Sequence, residues 1–136
     1  MSEKVIMNKI LVAVSSLPRS LVKRANAGMG YVGRKLFLPV GSTITIEPNM
    51  VVLADARPIK FGVPGQGDIE GAVDGFPVSL EVKTLTGQQR QYQKNYQAAW
   101  EKAGGIYIVA RSPEEALEKL NHHISRKSLD TLSGTK

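Results

Sequence analysis

The dipeptide Asp74-Gly75 constrains this chain more than any other feature, because it separates two runs of strand-forming residues. A two-residue hairpin turn needs positive φ at its centre, and Asp-Gly supplies it at low steric cost. Residues 68–73 and 76–83 are therefore predicted to be antiparallel neighbours. Side chains two apart on a strand share a face, so Glu81 and Lys83 project together while Leu80 and Val82 face the other way. Cross-strand pairing can then bring Asp68 beside Glu81 and Lys83.

Two carboxylates and one ammonium in one cleft suit hydrolysis of a phosphodiester. Mg²⁺ takes hard oxygen ligands and keeps several waters. It polarises a phosphate and lowers the pKa of a bound water. Asp68 and Glu81 would supply carboxylate oxygens. Lys83 would orient the water or stabilise charge developing on the phosphate, in preference to acting as a base. Each part also has a plainer reading. A Glu-x-Lys on a strand is commonly a solvated charge pair, and an Asp beside a Gly-rich loop is commonly turn chemistry. The conjunction of the parts in a strand–turn–strand–helix frame favours a site.

Upstream, Val5, Ile6, Ile10, Leu11 and Val14 have helical spacing, which predicts a short helix over 5–14 ended by Ser15, Ser16 and Pro18. Residues 20–24 read as a strand. Gly28, Gly30 and Gly33 read as a loop. Their G-x-G-x-x-G spacing would mark a dinucleotide site only ahead of a helix, and residues 34–39 read as strand instead. Residues 43–46 and 50–53 read as strands around a Pro48-Asn49 turn, with 58–61 as a short edge piece and 62–67 as a Pro/Gly-rich loop.

Beyond Gly87 a helix of about fifteen residues is predicted. Tyr92, Tyr96, Ala99, Trp100 and Ala103 form its apolar stripe, and Gly104-Gly105 stops it. That stripe makes Tyr92, Tyr96 and Trp100 core residues in preference to a base-stacking platform. Residues 106–110 read as an apolar strand. Ser112, Pro113 and Glu115 are placed as N-cap, N1 and N3 of a last helix with a capping box, on which Ala116, Leu117 and Leu120 are the stripe. The tail 122–136 reads as polar and frayed. His122-His123 have no partner ligand at metal spacing.

The chain has 136 residues, the size of one compact domain. It has no cysteine, which excludes disulfides, zinc-thiolate sites and thiol catalysis and fits a reducing cytosol. No apolar run is long enough to span a bilayer, and residues 1–7 lack a secretory signal pattern. The formal net charge is +6. Residues 1–60 carry nine Lys or Arg against three Asp or Glu, whereas residues 61–136 carry nine against nine, so the whole excess lies in the first part. A basic surface concentrates and neutralises a polyanion. Arg24, Arg34, Lys35 and Lys60 collectively fit a phosphate track, although each alone reads as surface charge.

Three stretches taken together resemble the virus-type replication-repair nuclease (VRR-Nuc) domain of the PD-(D/E)-x-K nuclease superfamily. They are Gly65-Gln66-Gly67-Asp68-Ile69-Glu70-Gly71, then Glu81-Val82-Lys83-Thr84-Leu85-Thr86-Gly87, then Gln93. The resemblance extends to Phe61-Gly62 and to Gly104-Gly105-Ile106-Tyr107-Ile108-Val109. Upstream, Arg24-Ala25-Asn26-Ala27-Gly28 is similar to a stretch in phage-encoded members. Most of the chain is covered, from residue 7 to residue 121.

The resemblance implies an α/β fold with a restriction-endonuclease-like mixed central sheet flanked by helices, as a single domain over residues 1–121. It implies metal binding by Asp68, Glu81 and the carbonyl of Val82, with Lys83 acting on the nucleophilic water and Gln93 supporting the site. The implied cofactor is Mg²⁺, with Mn²⁺ able to substitute. The implied substrate is structured or branched DNA such as a Holliday junction, cut by a homodimer in a bacterial or phage-infected cytosol. Such a dimer would bury apolar surface from residues 36–53. Asn26 joins Arg24, Arg34, Lys35 and Lys60 as a nucleic-acid-binding candidate. Helical geometry agrees about Gln93, since Gln89, Gln93 and Gln97 would lie on one ridge, although a glutamine on a helix is most often merely exposed.

Three positions depart from the family pattern. Gly67 stands where a proline commonly precedes the aspartate. Arg90 stands where a Ser or Thr often caps the helix. Many relatives carry a metal-binding glutamate on the first helix. Here the only early acid, Glu3, falls before the predicted helix, and Glu70 shares a strand face with Asp68, so Glu3 and Glu70 are the two substitutes to weigh. The rival expectation is a DNA-binding module without catalysis. A third is a structural or regulatory domain that merely has a charged hairpin.

Overall fold

The computed structural model describes residues 1–25, 28–35 and 37–132. In chain order the elements are α1 (Glu3–Ser15), β1 (Ser20–Arg24), β2 (Gly28–Lys35), β3 (Leu53–Phe61), β4 (Ile69–Val73), β5 (Phe76–Val82), α2 (Gln91–Lys102), β6 (Ile106–Ala110) and α3 (Pro113–Leu132). They fall into two compact units. One is Met1–Asn26 together with Gly62–Lys136, and the other is Ala27–Phe61.

The first unit is an α/β fold, as predicted, with helices flanking a mixed four-stranded sheet in the order β1-β4-β5-β6. β4 pairs antiparallel with β1 and with β5, and β6 joins β5 in parallel. Asp74 and Gly75 have φ of +53° and +87°, so the hairpin turn forms where the sequence puts it. A parallel pair needs a crossover, and α2 lies on it. Alternation divides the sheet by chemistry. Val78, Leu80 and Val82 pack with Ile106, Ile108 and Ala110 against Ile10 and Val14 of α1 and Ala116 and Leu120 of α3. The other face of β5 carries Ser79 and Glu81, and there α2 supplies the partner Gln93.

That polar face corrects the reading of α2. The helix has 12 residues and begins at Gln91, leaving Gln89 outside it. Its buried residue is Gln93. Of the predicted apolar stripe, Tyr96 and Trp100 are half-buried and stacked with centroids 5.8 Å apart, while Tyr92, Ala99 and Ala103 are exposed. A helix laid over Ser79 and Glu81 satisfies polar groups and needs little apolar surface. Gly104, at φ +100°, ends it as expected.

Two other boundaries move. α1 begins at Glu3, because the Ser2 side chain accepts from Val5 N–H and caps it. α3 runs to Leu132, well past the predicted end at Asn121. Ser112 caps it by accepting from Glu115 N–H at 3.1 Å, but the Glu115 carboxylate reaches the Arg111 N–H rather than the Ser112 one.

The second unit is a two-stranded antiparallel ribbon, β2 with β3. Gly28, Gly30 and Gly33 lie within β2 and not in a loop. The register shifts between Val32 and Arg34, where Asp55 has φ +52°, the signature of a bulge. β2 is Gly28–Lys35, Leu36 lies outside the described residues, and residues 37–39 are not strand, so the strand expected to Pro39 does not reach it. The turn at Pro48-Asn49 forms, with Met50 N–H donating to the Glu47 carbonyl, but residues 43–46 and 50–52 form no strand. Strand-forming composition needs a ladder partner, and among the described residues β2 and β3 pair only with each other. Residues 58–61 belong to β3 and are not a separate piece.

Candidate active site

Asp68 sits one residue ahead of β4. Extending the β4–β5 register by one places it opposite Glu81, within reach of a cross-strand contact. Asp68 Oδ2 accepts a 2.7 Å hydrogen bond from the Val82 N–H. The N–H and C=O of one strand residue point the same lateral way, so the Val82 carbonyl is also directed toward β4.

Glu81 is 3% exposed. Its Oε1 accepts from Gln93 Nε2 at 2.7 Å and lies 3.6 Å from Lys83 Nζ. Its Oε2 faces the Tyr107 hydroxyl at 3.5 Å. Lys83, the residue after β5, is anchored through its backbone N–H to the Ala110 carbonyl at 3.0 Å. The structure thus brings Asp68, Glu81, Lys83 and Gln93 together. Glu81, Lys83 and Gln93 are buried and Asp68 is half-buried, so the cluster is enclosed where the sequence predicted a cleft.

Enclosure changes the electrostatics. Burial pushes the Glu81 carboxyl up to about 7, the neighbouring Asp68 charge adds to the rise, and Lys83 opposes it. Burial also raises Asp68, against the pull of the Val82 N–H, Lys83 and Arg24. The carboxylate pair is short of positive charge, and its donors are all oxygens. Both properties suit a hard divalent cation that keeps part of its water. Among the described residues no three His, Asp or Glu side chains group as metal ligands. An ion here would rest on Asp68, Glu81 and the Val82 carbonyl, with water filling the remaining positions.

The two substitutes for a first-helix glutamate part company. Glu3 is on α1 after all, and its charge contributes to the rise at Glu81. Glu70 shares a face with Asp68, but its Oε2 accepts from Ser79 Oγ at 2.7 Å and from the Tyr96 hydroxyl at 2.9 Å.

Arg24 ends β1, is exposed, and its charge acts on Asp68. Asn26 lies outside the described residues. In the second unit, Lys60 pairs with Met29. Alternation along β2 puts Lys35 on the same ribbon face as Met29 and sends Arg34 to the other face, with Arg57. All four cations are exposed, so each face of the ribbon presents two. The sequence reading missed Arg57, which only the strand register reveals.

Ser79, Tyr96, Tyr107 and Arg111 were also missed as site residues. Arg111 donates through one nitrogen to the carbonyls of Thr84 and Gly87 and so closes the turn that follows Lys83. Its place in the sequence, directly after β6, carries a signal only once β6 is known to lie beside β5. Compared with known proteins, the chain matches no protein-family model and no curated sequence.

Proposed function

We propose that this chain is a metal-dependent nuclease that hydrolyses DNA phosphodiester bonds, with Mg²⁺ as its cofactor and Mn²⁺ able to substitute. The observation that carries this reading is the convergence of Asp68, Glu81 and Lys83 at the end of β5, with Gln93 fastened to Glu81. Asp68, Glu81 and the Val82 carbonyl would hold the ion, which supplies a polarised phosphate and a water of lowered pKa. Lys83 holds an ammonium beside Glu81, where it orients the water or stabilises charge developing on the phosphate. Gln93 keeps the Glu81 carboxylate in one rotamer. Arg24 offers a cation to a phosphate near Asp68.

The resemblance to VRR-Nuc domains supports branched DNA such as a Holliday junction as the substrate, a homodimer as the working form and the cytosol as its place. Among the described residues no helix is long and apolar enough to cross a membrane. Phe37, Val40, Ile46 and Val51 are exposed in the second unit, which supports burial of that surface in a dimer. A strict monomer by solution mass at working concentration would rule the dimer out.

The test is a Mg²⁺ and Mn²⁺ titration with labelled linear, nicked, flapped and four-way DNA. Cleavage by wild type, abolished by chelator and by Glu81→Ala or Lys83→Ala, is expected. The exposed cations on both faces of the ribbon favour a second reading, a DNA-binding module without catalysis. That reading predicts salt-sensitive binding with no metal-dependent cleavage.

A further inference from the structure

From the contacts around Gly67 we infer that Ser79 and Glu70 are positioning residues that set the aspartate of the metal site. The inference rests on the nuclease reading. Asp68 precedes β4 and has no ladder of its own, so something else must hold its backbone. On one side, the Asp68 carbonyl accepts from Ala25 N–H at 2.8 Å. On the other, Gly67 N–H donates to Ser79 Oγ at 3.1 Å. Ser79 is fully buried.

A serine hydroxyl has one proton and two lone pairs, and an ionised carboxylate only accepts. The Ser79 proton therefore goes to Glu70 Oε2, at 2.7 Å, which leaves a lone pair aimed at the Gly67 amide. The Tyr96 hydroxyl donates to the same oxygen at 2.9 Å and ties Glu70 to α2. The chain Tyr96–Glu70–Ser79–Gly67 thus runs from the covering helix to the peptide ahead of Asp68.

This chain accounts for the departure at Gly67. A Cβ there would overlap Ser79 Oγ and stand 2.8 Å from the Leu80 carbonyl oxygen. A proline would in addition lack the N–H that Ser79 accepts. Glycine at 67 and serine at 79 form one matched device. Glu70 serves that device through Oε2, which the Ser79 and Tyr96 hydroxyls already occupy.

The experiment is Mn²⁺ binding to the full chain by titration calorimetry, run below each variant's melting temperature. Ser79→Ala is expected to weaken Mn²⁺ about 10-fold, the lower end of what is lost when a group supporting a metal ligand is removed. Glu70→Gln keeps an oxygen that accepts both hydroxyl protons and is expected to stay within about twofold of wild type, whereas Glu70→Ala should follow Ser79→Ala. A merely structural role for Ser79 would lower the melting temperature and leave the Mn²⁺ affinity of the folded protein unchanged, and that result overturns the inference. So does a Glu70→Gln loss as large as that of Asp68→Asn, which would make Glu70 a ligand. If Ser79→Ala does not fold, Glu70→Ala carries the test by the same criterion. Wild type that takes up no Mn²⁺ brings down the nuclease reading itself, and this inference with it.

Discussion

Gln93 Nε2 lies 2.7 Å from Glu81 Oε1, while Gln93 Oε1 accepts the Arg90 N–H at 2.8 Å. One amide therefore fastens a carboxylate of the cluster and closes the start of α2, where the Arg90 guanidinium has no acceptor to offer. Gln93→Glu keeps the oxygen that accepts from Arg90 but loses the donor and sets a second carboxylate against Glu81. It is expected to cut Mn²⁺-dependent cleavage about 10- to 100-fold. Gln93→Ala should lose the bond and also about 1 kcal/mol of helix-cap stability. Cleavage rates beside thermal melts separate the two roles, and a Gln93→Glu enzyme as fast as wild type would show that the amide donor is dispensable.

The raised Glu81 carboxyl predicts a pH dependence with a definite sign. Its folded value of about 7 exceeds the ordinary 4.5, so between these values the folded state binds more protons than the unfolded one. Stability without metal should be greatest below about 4.5 as far as this group goes, and should fall as pH rises through 7, by about 3 kcal/mol at most. Metal binding should run the other way. Mn²⁺ must displace the proton on Glu81 below pH 7, so its apparent affinity should rise up to about tenfold per pH unit on approaching 7 and then level. Glu81→Gln should abolish the fall in stability. Calorimetric titrations and melts from pH 5 to pH 8 check both slopes, and a metal affinity indifferent to pH would exclude Glu81 as a ligand.

Arg111 is bonded to the carbonyls of both Thr84 and Gly87, on the turn that directly follows Lys83. Arg111→Ala should destabilise the chain by about 2 kcal/mol, since a charged donor is removed and two carbonyls lose their partner. Arg111→Lys should recover only part, because the lysine nitrogen ends about one bond short of the guanidinium nitrogen that serves both carbonyls. Denaturant melts measure the first effect. The cleavage rate at a temperature where both variants are folded reports whether the turn also sets Lys83.

The strand half of the site was legible because its rules are local. Asp74-Gly75 fixes a hairpin, and alternation fixes which of residues 80–83 share a face. Gln93 was legible through a resemblance, and the helical ridge argument placed it only beside the apolar stripe. The stripe itself misled, because periodicity reports that a helix has a face but not what that face meets. Tyr96 meets Glu70, and Trp100 donates to the Ile106 carbonyl at 3.0 Å. Tyr107 and Arg111 depend on β6 pairing in parallel with β5, a contact that no short window of sequence contains. Residues 43–46 have strand composition and no strand, because composition cannot supply a neighbour. The glycines at 28, 30 and 33 suggested a loop, yet β3 gives them a ladder and the bulge absorbs the misfit at Gly33.

The ribbon offers a way to ask where nucleic acid travels. Lys35 and Lys60 share one face with Met29 and Tyr31, which are 60% and 64% exposed, and Arg34 and Arg57 share the other. Cations interleaved with exposed apolar and aromatic side chains suit a phosphate backbone with stacked bases. The double variant Lys35→Ala/Lys60→Ala is expected to weaken DNA binding at every sequence. If both lysines neutralise phosphates of duplex DNA, it should flatten the slope of log affinity against log salt by about two, since each contact contributes roughly 0.9. Arg34→Ala/Arg57→Ala should have the smaller effect, because that face lacks the exposed tyrosine. Mn²⁺ affinity should not change in either variant, because none of the four belongs to the proposed ligand set of Asp68, Glu81 and the Val82 carbonyl. Salt titrations of binding to a four-way junction decide between the faces. Equal slopes in wild type and both double variants would remove the ribbon from the DNA track and leave Arg24 as its remaining described candidate.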